Sequence, residues 1–97
     1  MFKKVLVAED LDSISIAVVQ VLEELEVPVI DHVKYCDEGL LKVKKALLEK
    51  EPYDLLITDL SFKLDHRKAD LTSGDELIEA VNHVQPELKK NCFFYRR

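Results

Sequence analysis

Ninety-seven residues, 47% hydrophobic and 34% charged, describe one small globular domain and exclude a disordered or fibrous chain. A chain of this length buries about 60–65% of its unfolded surface, enough for a single core of two or three layers. Its net charge of −5, from 19 acidic and 14 basic residues, offers no general field for nucleic acid.

Short apolar runs alternate with helical patterns along the chain, which predicts βαβ units on a parallel sheet. Residues 5–8 (VLVA) are continuously apolar, as expected of a strand covered on both faces, and they run into Glu9 and Asp10. Asp12 or Ser13 is placed to cap the next helix, where Ile14, Val18, Val21, Leu22 and Leu25 form a stripe at helical spacing. Residues 27–33, containing Pro28, predict a second strand at a sheet edge, because Pro cannot donate to a central ladder. Asp37 is placed to cap a second helix with Leu40, Val43 and Leu47 on its buried face, and Pro52 stops it. Residues 54–59 (DLLITD) predict a third strand, again ending in an acid. The polar stretch 60–73 is long for a connection, and such loops beside strand ends carry function more often than not. Leu77, Ile78, Val81 and Val84 predict a third helix ending before Pro86, and residues 91–95 (NCFFY) a fourth strand. The expected order is βαβαβαβ, an α/β fold on a doubly wound parallel sheet of about four strands and three helices.

No apolar run approaches the roughly 20 residues needed to span a bilayer, and the apolar start is too short for a signal peptide. Cys36 and Cys92 stand apart and outside any CxxC pattern, so neither a disulfide framework nor a zinc site is expected, and the setting is expected to be the cytoplasm. Both thiols are expected to serve as small hydrophobes. With only Gly39 and Gly74, the chain carries no GxGxxG or P-loop nucleotide site. His32, His66 and His83 are scattered, which argues against a histidine-centred metal or relay site.

The chemistry is expected at the strand ends. Ligands of open α/β sheets gather outside the carboxyl ends of the strands. If the first and third strands are neighbours, Glu9, Asp10 and Asp59 converge there. Converging carboxylates repel one another and call for a cation, and a hard divalent ion such as Mg²⁺ suits oxygen ligands. Such an ion screens an incoming phosphoryl group, and an ionised Asp can attack phosphorus. Taken singly, each acid is most often a helix cap or a solvated loop residue. A phosphatase of the aspartate-nucleophile type wants a second Asp two residues after the first, where Ser61 stands.

Glu9-Asp10 after strand one, Pro52-Tyr53-Asp54 leading through apolar residues to Asp59, and Ser73-Gly74-Asp75-Glu76-Leu77-Ile78 opening the next helix together resemble a response-regulator receiver domain of two-component signalling. The resemblance spans residues 1–97 and about the first three-quarters of the family's usual domain. It implies a flavodoxin-like receiver with strand order 2-1-3-4, shortened at its C-terminus and without an output domain. Asp59 then matches the phosphoaccepting aspartate, Glu9 and Asp10 the acidic pair that holds Mg²⁺, and Ser61 the position whose backbone carbonyl completes the metal site. The implied phosphodonor is a histidine kinase or a small acyl phosphate, and the domain is expected to be no enzyme beyond self-phosphorylation and self-dephosphorylation.

The departures point to a second possibility. The family's Ser or Thr at the end of strand four is replaced by the run Phe93-Phe94-Tyr95-Arg96-Arg97, its usual Pro after the phosphoacceptor by Lys63, and its strand-five Lys has no counterpart. A receiver lacking its last helix leaves part of the first helix's stripe and of the sheet uncovered, with strand four as a bare edge. A homodimer or higher oligomer through that face or edge is therefore expected. The alternative function is a switch-dead receiver acting as a self-associating or kinase-binding module.

Overall fold

The structure is a computed structural model and describes residues 2–59 and 74–95. Four strands, β1 (Lys4–Ala8), β2 (Val29–Val33), β3 (Leu55–Asp59) and β4 (Cys92–Tyr95), alternate with three helices, α1 (Asp12–Glu24), α2 (Cys36–Leu48) and α3 (Gly74–Val84). The strands form one all-parallel sheet in the order β2-β1-β3-β4, with β1 and β3 central and β2 at an edge as expected. This is an α/β doubly wound sheet of the flavodoxin-like kind. The stretch 60–73, and with it Ser61, Lys63 and His66, lies outside the described residues.

Strand alternation divides the core into two layers. On one face Leu6, Ala8 and Leu56 pack with Val43 of α2 and Leu77 and Val81 of α3. On the other, Val5, Val7 and Leu55 pack against Leu22 of α1. Leu6, Leu56 and Leu77 lose all exposure, and burial on this scale contributes about 1.5–3 kcal/mol per side chain. Gly39 lets α2 approach α3 closely: a Cβ there would stand 3.3 Å from Leu77 Cδ2 and 3.5 Å from Val33 Cγ2.

The helix starts differ from the expected caps. Leu11 and Tyr35 occupy the N-cap positions of α1 and α2, without a side-chain capping bond, and Asp12 and Asp37 lie inside the first turns. There their charges still favour the helix macrodipole. Ser15 Oγ, not Ser13, bonds back to the Asp12 carbonyl at 3.0 Å. The second strand begins at Val29, after Pro28, and Asp54 precedes β3. The Asp54 carboxylate instead accepts from the amides of Lys3 at 2.8 Å and Lys4 at 3.1 Å, tying down the entry to β1. A six-residue 3₁₀ turn, Pro86–Asn91, joins α3 to β4 and takes Asn91 out of the strand. It buries Leu88 against the α2–α3 layer.

Candidate functional site

Both central strands deliver their acids to the carboxyl edge of the sheet. Val5 and Val7 face α1, and Glu9 continues that alternation, its amide still donating to Val33 O of β2 at 3.0 Å. On β3, Leu55 and Ile57 face the same side, and Asp59 follows them. Glu9 and Asp59 are fully buried and Asp10 is half-buried. One carboxylate oxygen from each of the three lies within 4.8 Å of the others. The strand-end acids expected to converge are therefore brought together. Ser61 lies outside the described residues.

Glu9 is held from two sides. Its Oε2 accepts from the Leu11 amide at 2.8 Å, a backbone bond that fixes the turn from β1 into α1. Its Oε1 accepts from the Tyr95 hydroxyl at 2.6 Å. Buried carboxylates need such donors. Tyr95 pairs with Asp59 across the β3–β4 ladder, so its side chain shares the α1 face with both acids. Strand four carries no Ser or Thr at this end, and a phenol reaches the acidic site in its place.

His32 is also nearer than its scattered position in the sequence suggests. Its Nε2 lies 2.9 Å from Glu9 O, and because a carbonyl only accepts, Nε2 carries the proton and donates. The ring thus braces the main chain that presents Glu9. Neither Tyr95 nor His32 belongs to a motif with the acids. Only strand register brings them in, and the signal that could have found Tyr95 is its place opposite Asp59 once the order β1-β3-β4 is drawn.

The field at this edge is negative enough to act on a thiol. Burial first, then the carboxylates of Asp37, Glu76, Asp10 and Asp59, push Cys36 from 9.0 up to about 12. Cys36 therefore stays a neutral, buried thiol, and the half-buried Cys92, raised by desolvation, stays neutral as well. Both meet the expectation of small hydrophobes. Lys34 pairs with Asp12 at 3.1 Å at the surface, where both side chains are well exposed and the pair contributes little.

The donor set suits a hard ion. All three groups are carboxylates, the oxygen donors that hard cations take, and one oxygen from each stands within 4.8 Å of the others. No family model matches the chain, and no match to it is found among curated proteins or solved structures. What fold and site define together is an open parallel α/β sheet with an acidic cluster at the carboxyl ends of its two central strands. No helix among the described residues is long and apolar enough to cross a membrane.

Proposed function

We propose that this chain is a receiver-type phosphoacceptor of two-component signalling, taking a phosphoryl group on Asp59. The convergence of Glu9, Asp10 and Asp59 at the ends of β1 and β3 carries the proposal. Glu9, Asp10 and Asp59, with the Ser61 backbone carbonyl, would hold Mg²⁺, which when bound screens charge between the carboxylates and an incoming phosphoryl group. Asp59 is the nucleophile. One oxygen of its ionised carboxylate attacks phosphorus and forms the P–O bond of an acyl phosphate. In the same step the P–N bond of a kinase phosphohistidine, or the P–O bond of a small acyl phosphate, breaks, and its electron pair leaves with the imidazole or the carboxylate. Burial of Asp59 limits water at the reacting oxygen. The Leu11 amide and the Tyr95 hydroxyl keep Glu9 turned to the same point.

The test is intact mass after incubation with Mg²⁺ and acetyl phosphate. One phosphoryl adduct is expected on the wild type and none on Asp59→Asn. An adduct on both proteins, or on neither, counts against the assignment.

The edge of β4 favours a second reading. Phe93 is 69% and Phe94 58% exposed on that strand. On this reading the domain works by self-association, or by occupying a kinase, with a site that no longer switches. Cation binding without any adduct would put it first.

A further inference from the structure

We propose that β4 is a self-pairing edge: two copies of this chain join through it as antiparallel strands across a two-fold axis, and the basic residues bracketing the strand make the pairing salt-dependent. The inference rests on the self-association reading above and names its partner, its geometry and what controls it.

The sheet has two outer strands, β2 and β4. β2 is entered through Pro28 and carries Asp31 and His32, features that blunt an edge. β4 carries neither charge nor proline, and among the described residues no strand pairs with its outer side. Its aromatic side chains are exposed on both faces of the sheet, Phe93 on the α1 face and Phe94 on the face of α2 and α3. A body laid on one face would cover one of them, whereas a strand added at the edge flanks both. Together they offer about 250 Å² per copy and about 500 Å² across a pair, a large part of the roughly 1,200 Å² at which specific interfaces begin.

The pleat selects the geometry. A two-fold axis along the strands sets each residue beside its own copy with the side chains on opposite faces, which a pleated ladder excludes. A two-fold axis normal to the sheet gives an antiparallel pair with like faces together, and residues opposite one another then share a face. Two registers satisfy this while pairing most of β4. In one, Phe93 lies opposite the partner's Phe93 and Cys92 opposite the partner's Phe94; in the other, Phe94 lies opposite the partner's Phe94 and Phe93 opposite the partner's Tyr95. Either way an aromatic side chain meets its own copy, a cross-strand pair that stabilises a sheet. Residues 89–97 read KKNCFFYRR, so antiparallel pairing brings the basic start of one strand to the basic end of the other. Salt screens that repulsion.

The experiment is light scattering over a concentration series at low and high salt, with hydrogen exchange on the same wild-type samples. Salt is expected to raise the dimer fraction of wild type. Lys90→Gln combined with Arg96→Gln makes the chain two charges more negative, yet is expected to dimerise more tightly at low salt and to lose most of the salt effect. Weaker association of that variant would mean that net charge governs the pairing, and overturns the role of the basic flanks. The amides of β4 should exchange more slowly as wild type associates, while those of β2 stay unchanged. In a Cys92→Ser background, mild oxidation should lock a covalent dimer through Phe93→Cys or Phe94→Cys, and not through Leu48→Cys, which is 86% exposed at the end of α2. Equal locking by all three, association that leaves the β4 amides unslowed, or growth past the dimer into open filaments overturns the two-fold edge while self-association stands. A wild-type monomer at every concentration and salt overturns the edge and the self-association reading together.

Discussion

Tyr53 shows how one side chain ties layers together and gives the protein an alkaline limit. Its ring is buried, with Lys4 Nζ 4.7 Å from the centroid, and its hydroxyl donates to Asp31 Oδ2 at 2.5 Å. Burial first, then the hydrogen bond and charge of Asp31, raise its pKa above the ordinary 10.0, as burial and carboxylates raise Cys36 from 9.0 to about 12. Both are neutral acids whose folded pKa lies above the unfolded one. Below the unfolded values both states are protonated and the contribution is complete. As pH rises past about 9 the unfolded chain ionises first and binds fewer protons, so stability falls. The thermal midpoint should therefore decline from about pH 9 upward, and Tyr53→Phe should flatten the part that begins near 10. At neutral pH the same variant should cost near the lower end of about 1.5–3 kcal/mol, since Asp31 is only half-buried. Calorimetric scans of both proteins across this range check it, and parallel pH profiles would contradict the assignment. None of this was legible in the sequence, where Tyr53 reads only as part of Pro52-Tyr53-Asp54. Its partner Asp31 lies on another strand, and pairings of that kind exist only once the sheet is assembled.

Elements explain why helix positions, and the end of α3 before Pro86, were legible while the caps of α1 and α2 were not. Apolar spacing set α1, α2 and α3, but the acidic residues near each start serve an N-cap or a first turn equally well, so the caps fall one or two residues from where charge alone puts them. The C-terminal ends were hidden for another reason. After α1, Val27 N bonds to Leu22 O at 3.1 Å and Glu26 N to Glu23 O at 3.0 Å; after α2, Glu51 N bonds to Ala46 O at 2.9 Å and Lys50 N to Leu47 O at 3.1 Å. Both are Schellman turns, and Val27 packs in the same layer as Leu22, the apolar contact that accompanies the motif. Each turn needs a left-handed residue, and here it is Glu26 or Lys50, both at φ 61°, instead of glycine. The usual signal was absent because the chain tolerates strain that costs about 1–2 kcal/mol at an L-residue. Glu26→Gly and Lys50→Gly should each stabilise by about 0.5–1 kcal/mol, part of the relief being offset by the freer unfolded chain. The midpoint should rise by about 2–6 °C for a domain of this size. A fall in both variants would show that these side chains contribute more than their backbone conformation costs.

At the scale of the molecule, the same periodicities that placed the strands also decide which surface is left open. Continuous apolar runs were enough to expect a parallel sheet, its strand order came only with the receiver resemblance, and acids at two strand ends were enough to place a candidate site. The tyrosine that reaches it was not legible, because register across three strands cannot be read from local pattern. Register also sorts the aromatic edge. Phe93 pairs with Ile57 and lies on the α1 face, whereas Phe94 pairs with Thr58 and lies on the face of α2 and α3. Among the described residues α1 alone covers the first of these faces, with Val21 and Leu25 of its own stripe more than half exposed. Among the described residues no strand pairs with the outer edge of β4, and an open strand edge flanked by aromatic side chains pairs with another chain unless something blunts it. The protein should therefore form a dimer or larger oligomer as concentration rises, measured by gel filtration with light scattering. Phe93→Lys combined with Phe94→Lys should shift it to monomer with the circular dichroism unchanged, since both side chains are mostly solvent-facing and their loss removes little from either core layer. Asp10→Asn should leave association as it is, because Asp10 lies in the cluster at the ends of the central strands and not on β4. A wild-type monomer at high concentration would remove the basis for association through this edge, and the acidic centre would then stand as the functional feature of the fold.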